Sequence, residues 1–311
     1  LVTYAAEWFQ PAQPTPPCVA APLPASAPAP EDWTLEDLTG FVRSPARWFL
    51  RERLGIRLYR ADDALADAEP FYLDGLASYT VGQRLVAAHL EGQDADPAYR
   101  RLRSEGLLPA AAAGRRLFEQ AWRDTAAFAA RLVPFLATSQ ADVLLDVDIA
   151  GARLTGRLRG LTDQGLVEYR YAKQRARNLL ELWVRHLAIN VVRAATPTRY
   201  VLRDETVLLQ PPADAHALLA DVLTLASQGR GEALPLLPEC AFAYLNAKDH
   251  DSGLAAARKA WEGNSYLDLP GEGDDADVQV AFRGRDPVSE PAFVELAQRL
   301  CGPLLAAMER A

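Results

Sequence analysis

Three short strand-like runs lie between long helical stretches, and this order limits the chain to a fold that mixes helices with a sheet. The runs are DVLLDVDIA (142–150), ARLTGRLRGL (152–161) and GLVEYRYA (165–172). They alternate polar with apolar residues or are apolar over short lengths, which is typical of β-strands. Turn-forming residues separate them, at Ala150-Gly151 and at 163–165. The pattern predicts a three-stranded meander.

Helical patterns precede and follow the meander. Thr34 can cap one helix, with Asp37 at its third position, and Ser44-Pro45 begins another. Apolar residues spaced three and four apart predict a helix that includes Leu179–Asn190. Further helices are predicted at about 74–91, 95–105, 112–132, 213–228, 238–247, 252–262 and 289–309, and further strands at TRYVLRD (198–204), TVLLQ (206–210) and VQVAFRG (278–284). We therefore predict an α/β fold with a central mixed β-sheet flanked by helices.

The first 30 residues differ from the rest of the chain. Residues 11–30 contain eight prolines and no charged residue. Such a segment makes neither a helix nor a central strand, so residues 1–30 are predicted to be an extended linker or strap. Residues 31–311 are predicted to form a single domain, with a helical part at about 31–137, a sheet core at about 138–212 and a C-terminal helical part at about 213–311.

The composition argues against several classes of protein. No long apolar run and no signal-peptide pattern occur, so no membrane segment is expected. The cysteines Cys18, Cys240 and Cys301 are far apart, which argues against a zinc site and fits a reducing compartment. No P-loop or dinucleotide fingerprint is present. We expect a soluble, cytoplasmic protein, and we expect the chain to be part of a longer one, since it begins at Leu1 and its one methionine is Met308.

The segment GRLRGLTDQGLVEYRYAK (156–173) has the spacing of a hairpin that holds Mg²⁺ in a nuclease. Such a hairpin needs an acid on its first strand, then an acid, a spacer and a lysine on its second, because residues two apart on a strand point to the same face. Glu168 and Arg170 match the second strand. Arg159 stands where the first acid would be, and a permanent cation there repels Mg²⁺. We predict Arg159, Glu168 and Arg170 to be degenerate positions, with no catalytic residue, metal or cofactor.

A second pair of acids leaves an alternative open. Asp146 and Asp148 point to the same face of one predicted strand. Together with Glu168 they could supply the ligands of an active Mg²⁺-dependent DNA nuclease. The other interpretation is an exposed strand face on which these acids alternate with apolar neighbours.

Positive charge is concentrated around the hairpin although the chain carries a net charge of −8. Between Arg153 and Arg177 there are seven basic and two acidic residues. A local basic patch on an acidic body can bring nucleic acid to one place, and the alternative is an ordinary solvated surface. The residues predicted to contact DNA phosphates are Arg157, Arg159, Arg170, Lys173, Arg175 and Arg177.

Taken in order, the segments of this chain resemble the C-terminal region of the RecC family, the gamma subunit of bacterial exodeoxyribonuclease V. The segments are LVTYAAEW (1–8), the Pro-rich stretch, TLEDLTGFVRSPARWFLRERLGI (34–56), EPFYLDGLASY (69–79), EGLLPAAAAG (105–114), LTGRLRGLTDQGLVEYRYAK (154–173), LELWVRHLA (180–188), PLLPECAFAYL (235–245), AARKAWEG (256–263) and VQVAFRG. Their order and spacing make the resemblance specific. It implies a PD-(D/E)XK nuclease-like fold that has lost its catalytic residues.

The resemblance also implies how the catalytic pattern was lost. GRLR (156–159) replaces Gly-x-x-Asp of active relatives, and VEYR (167–170) replaces an apolar residue, an acid, a spacer and Lys. LELWVRHLA replaces a helix that often keeps a Gln and Tyr pair.

The family's role is that of a subunit that neither cuts DNA nor hydrolyses ATP. It implies partners, namely a helicase-nuclease subunit (RecB), a helicase subunit (RecD) and single-stranded or forked DNA, within a complex that acts in double-strand-break repair by recombination. A protein-interaction scaffold without DNA contact is a third hypothesis.

Overall fold

The structure is a computed structural model and describes residues 18–19, 21–23, 32–58, 75–267 and 269–310. The strands are β1 (Asp32–Thr34), β2 (Val143–Ile149), β3 (Ala152–Leu158), β4 (Leu161–Thr162), β5 (Gly165–Arg170), β6 (Thr198–Leu202), β7 (Thr206–Leu209) and β8 (Met308–Arg310). The α-helices are α1 (Leu35–Arg43), α2 (Pro45–Trp48), α3 (Gly75–Leu90), α4 (Ala95–Ser104), α5 (Ala111–Leu136), α6 (Ala176–Val192), α7 (Ala215–Gln228), α8 (Pro238–Leu245), α9 (His250–Glu262), α10 (Ala276–Ala281) and α11 (Pro291–Ala307). The prediction that helices and a mixed sheet are combined is confirmed.

The strands form two sheets. The smaller has the order β1-β3-β2, in which β1 runs parallel and β2 antiparallel to β3. The larger has the order β4-β5-β6-β7-β8 and is mixed, because β5 and β6 are parallel while its other pairs are antiparallel. Helix α6 makes the crossover that two parallel neighbours require.

The predicted three-stranded meander is wrong in one respect. The first two runs pair as β2 and β3, through a turn in which Ala150 and Gly151 have φ values of 52° and 82°. The third run, β5, lies in the other sheet and pairs with β6. The sequence pattern identified the strands correctly but not their partners, because the partner strand β6 lies beyond helix α6 in the chain.

Helix starts follow the capping residues found in the sequence. Thr34 accepts the Asp37 N–H on its hydroxyl at 3.0 Å, and the Asp37 carboxylate accepts the Thr34 N–H at 3.0 Å. Pro45 occupies the first position of α2, as predicted. These caps place α1 against α6, which carries many of the side chains of the main core.

The predicted strand VQVAFRG is instead the end of helix α10 (278–281) followed by a turn (282–284). Asp275 caps α10 by accepting the Asp277 N–H at 3.0 Å, and Val278, Ala281 and Phe282 are buried. These buried residues have helical spacing, which the run of β-branched residues hid. The C-terminal end also differs from prediction, since α11 stops at Ala307 and β8 joins the edge of the larger sheet.

Apolar residues form a main core and a smaller one. The main core takes residues from both sheets and from α1, α6, α7, α8 and α11, including Trp33, Trp183 and Phe293. The smaller core lies between α3, α4 and α5, and a bridging cluster that includes Phe128 and Val201 joins it to β6. Of the predicted strap, residues 18–19 and 21–23 are described; Leu23 donates its N–H to the Gly231 carbonyl, and the rest lies outside the described residues.

Candidate nucleic-acid interface

The segment predicted to be a nuclease-like hairpin is divided between the two sheets. Its first part belongs to β3, which pairs with β2, and only residues 161–162 pair with β5. The chain turns away at Gly160, whose φ of 80° is a left-handed conformation that favours glycine. Val167 still donates its N–H to the Gly160 carbonyl at 2.9 Å. Extending this register would set Arg159 opposite Glu168, but their side chains contact different residues.

Arg157 and Arg159, the hairpin-edge pair, lie beside Asp142. Their guanidinium nitrogens are 3.6 Å and 3.7 Å from an Asp142 carboxylate oxygen. The Arg157 side chain is 54% exposed and the Arg159 side chain 74% exposed, so solvent screens both ion pairs. Both arginines therefore keep most of their surface free for another partner.

Glu168 belongs to a half-buried cluster that we call the hairpin ion network. Its members are Glu168, Glu181, Arg43, Arg170 and Arg185. Arg185 lies 3.4 Å from the Glu168 carboxylate and 3.6 Å from the Glu181 carboxylate. Arg170 and Arg43 lie 3.6 Å and 3.0 Å from Glu181. Three cations therefore surround two acids, and a guanidinium stands beside Glu168 where a metal ion would bind.

Arg170, at the position of the nuclease lysine, contacts helix α6. It donates to the Asn178 side-chain oxygen at 2.7 Å. Burial raises the pKa of Glu168, while the charges of Arg185 and Arg170 act in the opposite direction. The contacts of Glu168 and Arg170 thus tie the end of β5 to α6, which is a structural use of both residues.

Asp146 and Asp148 lie on β2, in the smaller sheet, and both are exposed. The two oxygens of Asp146 accept from the Nε and Nη2 atoms of Arg153 at 2.8 Å and 2.9 Å. This hydrogen bonding lowers the pKa of Asp146. The structure does not bring these acids into the ion network of Glu168, which lies in the other sheet.

The remaining basic residues of the run line an open groove with a volume of about 1710 Å³. Arg170, Lys173, Arg175 and Arg177 come from the end of β5 and the start of α6. The last turn of α9 and the loop that follows it supply a further wall. The six predicted DNA-binding residues are thus divided, four in the groove and two at the hairpin edge.

Four exposed cations of the groove make no ion pair with any residue that the structure describes, and we call them the groove cations. They are Lys173, Arg175, Arg203 and Lys259. Arg203 lies over the Tyr171 ring, with 5.9 Å from its guanidinium carbon to the ring centroid. The groove cations therefore remain available to an anionic ligand.

Each acid of the groove has a partner within the chain. The contacts are Glu239 with the Ala176 N–H and Arg177, Glu272 with the Cys240 N–H, Asp274 with the Gly271 N–H, and Asp275 with Arg47. Burial raises the pKa of Glu272 to about 7, against the lowering effect of the Cys240 N–H. The accessible charge of the groove is consequently positive on a chain whose net charge is negative.

Sequence reasoning missed several of these residues. Glu181 and Arg185 are spaced four apart on α6, directly after the strand that carries the acid, and this spacing was a usable signal. Arg203 and Lys259 had no comparable signal, because they reach the groove from β6–β7 and α9, far along the chain.

Across the ranges that the structure describes, no three His, Cys, Asp or Glu side chains converge to hold a metal ion. Among the described helices, none is both long and apolar enough to cross a membrane. Cys18, Cys240 and Cys301 are free thiols, and burial raises the pKa of the last two.

Comparison with known proteins identifies the family. Residues 30–249 match the RecC C-terminal domain. The chain is 32% identical over 301 residues to "RecBCD enzyme subunit RecC" of Escherichia coli K12, covering 91% of this chain and 26% of that protein. It is 30% identical over 312 residues to the protein of the same name from Mycobacterium tuberculosis CDC 1551, covering 90% and 28%. The Mycolicibacterium smegmatis protein of that name is 30% identical over 239 residues, which cover 73% of this chain and 22% of that protein.

These relatives are much longer than the chain, which spans about a quarter of the length of the Escherichia coli and Mycobacterium tuberculosis proteins. The match to the RecC C-terminal domain, residues 30–249, includes the hairpin ion network and the groove residues from the end of β5 and the start of α6. Lys259 lies beyond that match. Together the domain match and the identities show that this chain belongs to the RecC family and corresponds to its C-terminal domain.

Proposed function

We propose that this chain is the non-catalytic C-terminal module of an exodeoxyribonuclease V gamma subunit, with a degenerate PD-(D/E)XK nuclease-like fold. Its role is to scaffold the helicase-nuclease subunit (RecB) and the helicase subunit (RecD) and to guide split DNA strands in double-strand-break repair by recombination. We propose that the protein performs this role in the cytoplasm and without a cofactor. The names of the relatives support the complex, since each is a subunit of the RecBCD enzyme.

The observation that carries the non-catalytic part is the guanidinium of Arg185 beside Glu168. It lies 3.4 Å from the only acid that the hairpin keeps at a nuclease-like position. A cation there competes with Mg²⁺ for the carboxylate and repels it. The alternative of an active nuclease that combines Glu168 with Asp146 or Asp148 is weakened by the bidentate contact between Asp146 and Arg153.

The accessible positive charge supports the DNA-guiding part. Of the predicted contacts, we propose that Lys173 and Arg175 bind phosphates in the groove and that Arg157 and Arg159 form a second contact at the hairpin edge. Arg170 and Arg177 contribute less to DNA binding, because each already forms an ion pair within the chain, with Glu181 and Glu239 respectively. Contacts of this kind give affinity and salt dependence without base recognition, as guiding a moving strand requires.

A cleavage assay tests the loss of catalysis. The purified chain is incubated with linear DNA and Mg²⁺ or Mn²⁺, beside a Glu168→Ala variant. We expect no cleavage that depends on Glu168. Cleavage by the wild-type chain that disappears in Glu168→Ala overturns the proposal in favour of an active nuclease.

A second assay separates DNA guidance from a scaffold that makes no DNA contact. Arg157→Glu and Arg175→Glu are introduced together into the assembled complex, and affinity for forked DNA is measured at low salt. We expect a loss of affinity with subunit assembly intact. Unchanged affinity leaves only the scaffold role.

A further inference from the structure

A solvent-exposed tyrosine lies in the loop whose leucines, Leu267 and Leu269, line the groove. Tyr266 is 94% exposed, the highest value among the exposed large hydrophobic side chains of the described chain. Its neighbours Leu267 and Leu269 are 59% and 57% exposed and line the groove. No described residue packs against this ring in a way that would give it a role in folding, so an external partner is the physical explanation to test.

The loop that carries Tyr266 is held at its base. Asn264 and Leu269 pair by two backbone hydrogen bonds of 2.7 Å and 3.0 Å, and the Asn264 side chain accepts the Leu267 N–H at 3.1 Å. Gly263, with a φ of 69°, closes against Gly271 so tightly that a Cβ atom would lie 2.3 Å from the Gly271 nitrogen. The ring is therefore presented from a closed turn, which reduces the conformational entropy that its binding would cost.

The groove cations lie on the same groove as this loop. Lys259 is in the last turn of α9, seven residues before Tyr266 in the chain, and it lines the groove with Leu267. Lys173 and Arg175 line it from the β5–α6 side. Cations that track a phosphate backbone, together with an aromatic ring for the bases, are the combination by which proteins bind single-stranded nucleic acid.

We infer that the groove binds an unpaired DNA strand and that Tyr266 stacks on one of its bases. The strand's phosphates lie against the groove cations. An unpaired base offers a whole face to the ring, whereas the bases of a duplex are already stacked on their neighbours. The inference rests on the proposed function for the contact with DNA. It adds the groove as the place where the split strand lies and Tyr266 as the residue that contacts its bases.

Binding of fluorescent oligonucleotides to the chain tests this inference. The ligands are an oligo(dT) of about 16 nucleotides, an abasic strand of equal length and a duplex of equal length. For Tyr266→Ala we expect oligo(dT) affinity to fall about tenfold, with abasic and duplex affinities within about twofold of wild type. Tyr266→Trp should restore oligo(dT) binding, and its fluorescence should be quenched by that ligand. Leu144→Ala, at a side chain 71% exposed on β2, is the matched control and should change none of these affinities.

The same measurements separate failure of this inference from failure of the proposed function. Suppose that the double variant Lys173→Glu with Arg175→Glu binds all three ligands less tightly, while Tyr266→Ala binds each as tightly as wild type. The stacking inference is then overturned, and the proposed contact with DNA stands. If the wild-type chain binds no DNA at low salt, both are overturned. Loss of partner-subunit binding in Tyr266→Ala, with oligo(dT) affinity unchanged, also overturns the inference and makes the loop a protein-docking element.

Discussion

The hairpin ion network and the groove cations lie close together around the end of β5 and the start of α6, but they differ in what their charges contact. In the network every cation lies within 3.6 Å of a carboxylate oxygen. The groove cations are exposed and have no acidic partner among the described residues. Paired and half-buried charges hold elements of the fold together, while exposed and unpaired charges remain available to a ligand.

This difference shows why a count of basic residues along the sequence is a poor guide to a binding surface. Arg170 and Lys173 are three residues apart and were predicted to have the same role. Arg170 is held by contacts with Asn178 and Glu181, whereas Lys173 has an exposed side chain in the groove. Tertiary contacts made by α6 decide which of the two can meet DNA.

The largest expected effect comes from breaking the ion network. Arg185→Ala leaves Glu168 and Glu181 facing each other with a cation removed. Because these side chains are only 25% and 18% exposed, we expect the free energy of unfolding to fall by about 2–3 kcal/mol, with DNA affinity unchanged. Urea denaturation measures the change, and Arg159→Ala at the exposed hairpin edge is the control. A loss below about 0.5 kcal/mol would mean that the network does not hold β5 to α6.

Charge reversal in the groove should lower DNA affinity and leave stability unchanged. For Lys173→Glu with Arg175→Glu we expect DNA affinity to fall about 30-fold at moderate salt and the slope of log affinity against log salt to shrink by about two. Stability should change by less than about 0.5 kcal/mol, because neither side chain has an acidic partner among the residues that the structure describes.

The control for this reversal is Arg100→Glu with Arg103→Glu on the exposed face of α4, which changes net charge equally outside the groove. Fluorescence anisotropy at several salt concentrations measures both pairs of substitutions. An equal loss of affinity in the control would show that net charge, and not the groove, governs binding.

A further effect concerns the pH dependence of stability on the acidic side of the groove. The pKa of Glu272 is raised to about 7 in the folded chain, so folding favours its protonated form. Its contribution to stability is therefore full below its ordinary pKa of 4.5 and is lost progressively as the pH rises to about 7, by about 3 kcal/mol in all. Glu272→Gln should flatten this part of the stability profile, whereas exposed Glu262→Gln should not. Denaturation from about pH 5 to about pH 8 tests this, and parallel profiles for wild type and Glu272→Gln would contradict it.

Local signals in the sequence predicted much of the fold. Thr34, Asp37 and Pro45 fixed two helix starts, and alternation identified β2, β3 and β5. The failures have physical causes. VQVAFRG has strand-like composition, yet the segment forms the end of a helix and a turn, in which Val278, Ala281 and the C-cap residue Phe282 are buried. The pairing of β5 with β6 depends on a crossover helix and not on a neighbouring run.

The candidate site was less accessible to sequence reasoning. The loss of the first acid at Arg159 could be read directly, because a cation replaces a carboxylate in a fixed spacing. The guanidinium that contacts Glu168 could not be predicted from the spacing, because it belongs to Arg185 on the next helix. Lys259 and Leu267 line the groove only through the packing of α9 and its following loop, which also carries Tyr266.

The most direct test of the central claim is a crossed measurement on Arg170→Ala and Arg175→Ala, which remove one charge each, five residues apart. We measure the free energy of unfolding and the affinity for forked DNA for both variants. The account predicts that Arg170→Ala loses stability and keeps its affinity, while Arg175→Ala keeps its stability and loses affinity. Equal losses of affinity in both variants, or a loss of stability in Arg175→Ala, would contradict the division between structural and ligand-binding cations.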